Sequence, residues 1–207
     1  MLKKEYLDIN FKKCHLFHMQ TIPSALKKGS FSKTEAEKNG VSRYRLYCWL
    51  DSGLLEKLER GVYRVPQADF NDEDAFRTAT LRLGKKSAVC LLSALIFHNL
   101  TDEIPRQTWL MVEQQKRSKH KDLKLIRLAE PKWKIGIESH KGYQITSLER
   151  TLVDCLLCRR HLGHTLGLQA LKRGIEHKAT TLSKVIDMAA RLGVLERIRP
   201  VVEVLAS

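Results

Sequence analysis

The segment from Ser32 to Val65 constrains the fold more than any other part of the sequence, because local signals fix where its elements begin and end. Ser32 and Glu35 have the spacing of a capping box, which begins a helix. Asn39-Gly40 predicts the tight turn that ends that helix. Ser42 then caps a second helix that runs to about Ser52. A short helix, a glycine turn and a second capped helix are typical of a helix-turn-helix.

The second of these helices has one apolar side. At 100° per residue, Leu46, Trp49, Leu50 and Gly53 fall on a stripe that we expect to be buried. Three other residues lie opposite this stripe: Tyr44, Cys48 and Asp51. Arg45 and Tyr47 lie on its flanks. Tyr47 could equally be a partly buried edge of the core.

A β-hairpin is predicted directly after this helix. Leu58 and the run from Val62 to Val65 alternate as strand residues do, and Arg60-Gly61 lies where the chain turns. A hairpin that follows the second helix of a helix-turn-helix is a wing. In such domains the start of the second helix contacts base edges, and basic side chains on the wing contact phosphates.

The candidate DNA-binding residues are the polar and basic side chains of these elements: Ser32, Lys33, Ser42, Arg43, Tyr44, Arg45, Tyr47, Lys57, Arg60 and Arg64. Arg45 is the preferred base reader. Arg43 is ranked second, because the 100° count puts it nearer the buried side of the helix. The alternative is a protein-interaction module whose basic residues only form a solvated face.

The charge of the chain favours a polyanionic partner. Its net charge is +14, and its isoelectric point is about 9.7. The longest apolar stretch, Ala88 to Phe97, has ten residues, whereas a membrane-spanning helix needs about 20. We therefore expect no membrane partner. Five cysteines, an odd number, argue against a disulfide framework and for the reducing cytoplasm.

A domain boundary is predicted at residues 66–71, a polar stretch that follows the hairpin. Residues 1–65 would then form the winged helix-turn-helix domain with an N-terminal extension, and residues 72–207 a second domain. Pro23 and Gly29 predict a further helix near the start of the first domain.

The second domain is predicted to be mixed α/β and to end in helices, so the fold class is α+β. The predicted helices cover residues 72–83, 88–97, 148–160, 163–176, 181–192 and 195–205, and the predicted strands cover 108–113, 123–128 and 142–145. Thr146-Ser147-Leu148-Glu149 is another predicted capping box, which begins the helix that reaches about Arg160.

Three segments resemble the AbiEi family, the antitoxins of type IV abortive-infection toxin–antitoxin systems. Gly53 to Arg64 resembles the wing of that family. Cys90 to Pro105 is similar to its SAL…H.LT..IP pattern, and Ser147 to Asp154 to its ERT..D helix. The three segments occur in the order that the family has. The N-terminal tail, Met1 to Met19, has no counterpart in the family pattern, which leaves open an extra helix or arm.

The resemblance implies a winged-helix repressor of its own operon, which binds repeats in the promoter as double-stranded DNA. It also implies a C-terminal domain that counteracts a nucleotidyltransferase-like toxin without a stable complex. The residues that the resemblance assigns to antitoxin function or to domain structure are Ser93, His98, Arg150, Thr151 and Asp154. A member of this family can also be a solitary regulator.

No motif predicts catalysis, a cofactor or a metal site. Cys155-x-x-Cys158 lacks a second ligand pair at zinc spacing, so both cysteines are expected to be core or surface residues. His98 is expected to be a buried histidine bonded to backbone rather than a base. Glu113 and Lys116 lack the spacing of a metal nuclease. Arg150 and Asp154, four residues apart, predict an ion pair on one helix face.

The basic run from Lys116 to Lys121 has two interpretations. It is either a solvated hairpin loop or a second contact with nucleic acid. Three functions remain in competition for the whole chain: a DNA-binding autorepressor and antitoxin, an enzyme that processes nucleic acid and is targeted by its winged helix, and an RNA-binding or protein-interaction module.

Overall fold

The computed structural model describes residues 21–66, 71–84, 86–128, 134–163 and 165–206. It is a mixed α/β structure with two separate sheets. The chain forms two compact units, Met1–Arg82 and Leu83–Ser207. The predicted N-terminal extension, residues 1–20, lies outside the described residues. Within those residues, none of the helices has the length and apolar character that crossing a membrane requires.

Over the described residues, the first unit has a short three-stranded antiparallel sheet and three α-helices. In chain order its described elements are a 3-10 turn (Ser24–Leu26), β1 (Phe31–Ser32), α1 (Lys33–Lys38), α2 (Arg43–Asp51), β2 (Glu56–Glu59), β3 (Val62–Arg64) and α3 (Asp72–Leu83). The strand order is β1-β3-β2. These elements are consistent with a winged helix. The 3-10 turn stands where a helix was predicted near Gly29, and β1 was not predicted.

The core of the first unit is built around Trp49, which is fully buried. Phe31 from β1, Ala36 from α1 and Leu46 from α2 pack in the same cluster. Cys48 is buried rather than on the exposed side of α2. It is also disulfide-bonded, whereas the odd number of cysteines argued against disulfides. Leu50, predicted on the stripe, is only partly buried.

The division between the two units lies at Arg82, whereas the sequence placed a boundary at residues 66–71. Helix α3 belongs to the first unit because polar contacts attach it there. The buried Asp74 accepts hydrogen bonds from the Ser30 backbone N–H (2.6 Å) and hydroxyl (3.0 Å). Arg77 forms an ion pair with Glu35 at 2.6 Å. A fragment that ends at residue 65 would therefore lose part of its own unit.

The second unit is a five-stranded mixed sheet packed against helices. Its described elements are β4 (Ser87–Val89), α4 (Leu91–Phe97), β5 (Thr108–Glu113), β6 (Leu123–Leu128), β7 (Ile137–His140), β8 (Tyr143–Thr146), α5 (Leu148–Leu157), α6 (Arg159–Leu162), α7 (Leu166–Glu176), α8 (Leu182–Arg191) and α9 (Leu195–Ala206). The strand order is β6-β5-β4-β8-β7. β5 and β6 are parallel, as are β4 and β8.

The apolar run from Ala88 to Phe97 is divided between two elements, whereas a single helix was predicted. Val89 pairs with Leu110 of β5 and with Ile145 of β8, so the run begins in the middle of the sheet. Cys90 continues the extended backbone, and its N–H donates to the Trp109 carbonyl at 3.0 Å. Helix α4 begins only at Leu91. Strand β7 was also not predicted.

We predict that Asp74→Ala lowers the free energy of unfolding of the first unit by about 2–4 kcal/mol, because it leaves the buried Ser30 N–H without an acceptor. Urea unfolding followed by fluorescence measures the change. Asp51→Ala is the matched control, because Asp51 is an exposed acid on α2, and a change within about 0.5 kcal/mol is expected. Equal effects of the two substitutions would contradict the assignment of α3 to this unit.

Candidate nucleic-acid interface

Helix α2 presents a fixed N-terminus. The Ser42 hydroxyl accepts a hydrogen bond from the Arg45 backbone N–H at 3.2 Å, which caps the helix as predicted. Leu46 and Trp49 anchor the following turns in the core. The first turn of α2 therefore starts from a rigid base.

Arg43 and Tyr47 form an exposed face over the first two turns of α2. The Arg43 side chain is 78% exposed, and Tyr47 is 62% exposed. They are four residues apart and so lie next to each other on one helix face. An exposed arginine beside an exposed aromatic ring can donate to a base edge and contact the neighbouring sugar or base. Asp51, one turn further on, is also exposed, so the cationic end of this face is its N-terminal end.

Arg45 occupies a different environment from the one that the sequence predicted. Its guanidinium carbon lies 5.0 Å from the centre of the Trp49 ring, and the residue is half-buried. A guanidinium over an indole ring is held by a cation–π interaction. Arg43 is therefore the more exposed of the two arginines, whereas the sequence analysis preferred Arg45 as the base reader. Tyr44 is half-buried.

The two predicted residues of α1 have different roles. Ser32 is engaged in the capping box, in which its hydroxyl accepts from the Glu35 N–H at 3.1 Å and its own N–H donates to the Glu35 carboxylate at 2.7 Å. Lys33 is partly exposed, with its Nζ 3.9 Å from Glu37 Oε1. Ser32 therefore stabilises the helix, whereas Lys33 keeps its charge at the surface.

Glu37 is a functional candidate that the sequence did not indicate. The same Oε1 atom that lies near Lys33 also lies 3.5 Å from Arg43 Nε. The glutamate thus stands between a cation of α1 and a cation of α2. The spacing of Lys33 and Glu37, four residues apart, could have predicted their ion pair. The contact between Glu37 and Arg43 was not predictable in this way, because it crosses the turn between two helices.

The hairpin extends the same basic surface. The Lys33 backbone N–H donates to the Gly61 carbonyl at 3.1 Å, which holds the hairpin turn against the start of α1. Gly61 has φ +84°, a conformation that glycine adopts without strain. Arg60, next to it, is exposed, and so is Lys57 on β2. Neither side chain forms an ion pair with another described residue.

Arg64 is held inside the first unit, although it was predicted to point at phosphates. Its Nε donates to Glu56 Oε1 at 2.6 Å, and its Nη1 lies 3.7 Å from Asp74 Oδ2. Its side chain is only 19% exposed. Arg64 therefore joins the hairpin to α3 and has a structural role in the first unit.

The candidate antitoxin residues of the second unit form buried or half-buried structural contacts. Ser93 is fully buried, and its hydroxyl accepts from the Trp109 N–H at 2.9 Å. The Thr151 hydroxyl shares a 2.7 Å hydrogen bond with that of Thr146. His98 is half-buried, and its Nε2–H donates to the Thr146 carbonyl at 3.0 Å. These contacts join α4 to β5 and β8, and α5 to β8.

Arg150 and Asp154 form a buried ion pair. Arg150 is 2% exposed, its Nε lies 2.8 Å from Asp154 Oδ2, and its Nη1 donates to the Ile135 carbonyl at 2.5 Å. Burial raises the pKa of Asp154, and the Arg150 charge opposes that rise. A Cβ at Gly136 would lie 2.8 Å from Arg150 Cβ, so the arginine is closely enclosed. Geometry of this kind is that of a structural pair.

The cysteines of the second unit do not form a reactive or metal-binding group. Burial raises the pKa of the Cys90, Cys155 and Cys158 thiols, which keeps them protonated at neutral pH. All three are free cysteines. Across the described residues, no group of three or more His, Cys, Asp or Glu side chains is arranged to hold a metal ion.

The comparison with known families matches the first unit. The family model described as "Transcriptional regulator, AbiEi antitoxin" matches residues 22–66, which include α1, α2 and the hairpin. The resemblance to AbiEi that the sequence indicated is thereby confirmed for this part of the chain. That family consists of transcriptional regulators and antitoxins. A search of curated proteins finds no match to the chain.

We predict that His98 makes the stability of the second unit depend on pH. Burial lowers the pKa of His98 below its usual value of about 6.5, against smaller effects of the Thr146 hydrogen bond, Glu138 and Glu149. The unfolded chain then binds the proton more readily. The folded state is therefore stabilised by the neutral form of His98 above about pH 6.5, and this contribution is lost as the pH falls below that value.

His98→Gln tests this prediction, because glutamine can still donate to Thr146 but does not titrate. Urea unfolding at about pH 7.5 and about pH 5.5 should show a larger loss of stability in the native chain than in His98→Gln. An equal loss in both proteins would show that other groups cause the pH dependence.

Proposed function

We propose that the chain is a DNA-binding transcriptional regulator whose winged helix reads a promoter through the start of α2. The observation that carries the proposal is the exposed pair Arg43 and Tyr47 on the first two turns of α2. The family match over residues 22–66 supports it, because the matched family is one of transcriptional regulators.

Two kinds of contact are expected from this surface. Arg43 can donate two hydrogen bonds to a guanine in the major groove, which supplies sequence preference. Lys33, Lys57 and Arg60 have flexible charged ends that suit phosphates and fix the position of the helix on the duplex. The hydrogen bond between the Lys33 N–H and the Gly61 carbonyl keeps α1 and the hairpin tip in one relative position. Both kinds of contact therefore belong to one surface.

The proposal extends to autorepression and to antitoxin function. The DNA partner is then the set of promoter repeats of the protein's own operon. The protein also counteracts a nucleotidyltransferase-like toxin without forming a stable complex with it. The word "antitoxin" in the description of the matched family supports this extension. Since the partner is promoter DNA, the proposal also places the protein in the cytoplasm. Co-expression with the product of an adjacent nucleotidyltransferase-like reading frame tests the antitoxin function.

We predict that Arg43→Ala reduces the preference among single-base promoter variants by about 1–3 kcal/mol at one position, because it removes a base contact. Arg45→Ala should lower stability through loss of the stacking on Trp49 and leave the preference unchanged. Arg60→Ala should weaken all sequences alike and lower the slope of log K against log salt by about one.

Competition binding of the three variants against a panel of promoter variants provides the measurement. If Arg43→Ala weakens every sequence equally, base readout by α2 is excluded, and recognition must rest on DNA shape. If Arg45→Ala alone changes the preference, the sequence-based ranking of the two arginines was the better one.

We also predict that Glu37→Gln strengthens DNA binding. Glu37 is 45% exposed and competes with DNA for Arg43 and Lys33 in the free protein. Because an exposed ion pair contributes about 0.2–1 kcal/mol, its removal should raise the affinity by about 1.4- to fivefold. Glu176→Gln, an exposed acid on α7, removes the same charge far along the sequence and should have no comparable effect. A fall in affinity for Glu37→Gln would mean that the carboxylate itself contacts DNA.

A further inference from the structure

Helix α1 has little apolar contact with the rest of the first unit. It consists of Lys33–Lys38, all of which the structure describes, and Ala36 is the only buried residue among them. A helix this short is not stable by itself in water, and one alanine side chain buries little apolar surface. The position of α1 therefore depends on its polar contacts.

One face of α3 supplies polar contacts to α1 and to the residue before β1. Asp74, Arg77 and Thr78 are three or four residues apart, so they lie on the same side of α3. The Ser30 hydroxyl shares a 2.6 Å hydrogen bond with that of Thr78, and Ser30 also donates to Asp74. Arg77 Nη2 donates to Glu35 Oε1 at 2.6 Å. Helix α3 therefore holds both the start of β1 and the first turn of α1.

The two oxygens of the Glu35 carboxylate have different partners. Oε2 closes the capping box, because it accepts from the Ser32 backbone N–H at 2.7 Å and from the Ser32 hydroxyl at 3.0 Å. Oε1 accepts from Arg77. The side chains of Arg77 and Glu35 are 22% and 28% exposed, so salt screens this ion pair less than a fully exposed one. Glu35 therefore joins the N-terminus of α1 to α3.

Helix α1 also connects the groups that are proposed to contact DNA. The backbone N–H of Lys33, its first residue, donates to the carbonyl of Gly61, the residue after Arg60 in the hairpin turn. Further along α1, Glu37 Oε1 lies 3.5 Å from Arg43 Nε at the start of α2. A shift of α1 would therefore move Lys33 and the hairpin turn relative to α2. Such a shift would weaken binding, because the phosphates of a duplex have a fixed spacing.

We propose that Arg77 is a positioning residue for DNA binding, because its bond to Glu35 fixes α1, and with α1 the hairpin turn, relative to α2. This role deepens the proposed function and rests on it. Arg77 lies outside residues 22–66, which the family model matches, and it is not one of the side chains proposed to contact DNA. The DNA-binding surface thus depends on a residue of α3 that acts through Glu35 rather than on the duplex itself.

The first test compares the same chemical change at two positions of α1, Glu35→Gln and Glu37→Gln, in the full chain. Glutamine also serves in a capping box, but its one oxygen is then used by Ser32, so its NH2 group faces Arg77 and the ion pair is lost. If charge alone mattered, both variants would bind promoter duplex more tightly, since each lacks one negative charge. We expect Glu37→Gln to strengthen binding and Glu35→Gln to weaken it by about three- to tenfold, as for the loss of one or two phosphate contacts.

The second test removes the other partner of the ion pair. Arg77→Met should weaken binding by about as much as Glu35→Gln, whereas Arg191→Met, which removes the same charge at an exposed position of α8, should change it by less than about twofold. The double variant Glu35→Gln and Arg77→Met should lose no more than either single variant, because both break one contact. Arg77→Lys, which keeps the charge, should recover most of the affinity. Urea unfolding gives the folded fraction of each variant, and affinities are compared per folded molecule.

The outcomes separate this proposal from the proposed function. Tighter binding by Glu35→Gln, or equal affinities of Arg77→Met and Arg191→Met, would overturn the positioning role. Additive losses in the double variant of Glu35 and Arg77 would overturn it too, because Arg77 would then contact DNA itself. The double variant Arg43→Ala and Arg60→Ala tests the proposed function separately. If it loses affinity while Arg77→Met binds as its control does, only the positioning role fails. If it binds promoter duplex as the parent does, the proposed function fails, and the positioning role fails with it.

Discussion

The buried carboxylate of Asp74 holds the first unit together. It receives two hydrogen bonds from Ser30 and lies beside the Arg64 guanidinium, which also binds Glu56 of β2. One acid thus joins the segment before β1, the hairpin and α3. Gly29 shows how little space remains, since a Cβ there would lie 2.7 Å from Asp74 Oδ1. The positions of α1 and of the hairpin tip depend on this junction, and so does the surface that they form with α2.

The elements of the first unit were predictable because their signals are local. The capping box at Ser32, the Ser42 cap and the Arg60-Gly61 turn each act within a few residues, and all three are present in the structure. Contacts distant in sequence were not predictable. A helical wheel cannot show that the first turn of α2 projects beyond the core, which is why Arg43 was ranked below Arg45. Nor can it show that Glu37 meets Arg43 across the turn.

The second unit was predicted less completely for a different physical reason. A continuous apolar run can be a buried strand or a buried helix, and Ala88 to Phe97 proved to be part of both. The residues of the family-like segments, such as Ser93 and Arg150, were correctly located on helices, but only the tertiary structure shows that they join strands to helices. The parallel pairing of β5 and β6 could likewise not be predicted from the sequence. It makes the basic run from Lys116 to Lys121 part of a connection that returns along β5 rather than part of a hairpin loop.

The central claim is that DNA meets the first turn of α2. Photo-cross-linking tests it most directly, with benzoylphenylalanine in place of Tyr47 or, as a control, of Ile104. Ile104 is 92% exposed, belongs to the second unit and is not one of the residues of the proposed α2 surface. Irradiation with promoter duplex should attach DNA to the protein substituted at Tyr47 and not to the protein substituted at Ile104. Cross-linking from Ile104 without cross-linking from Tyr47 would contradict the account.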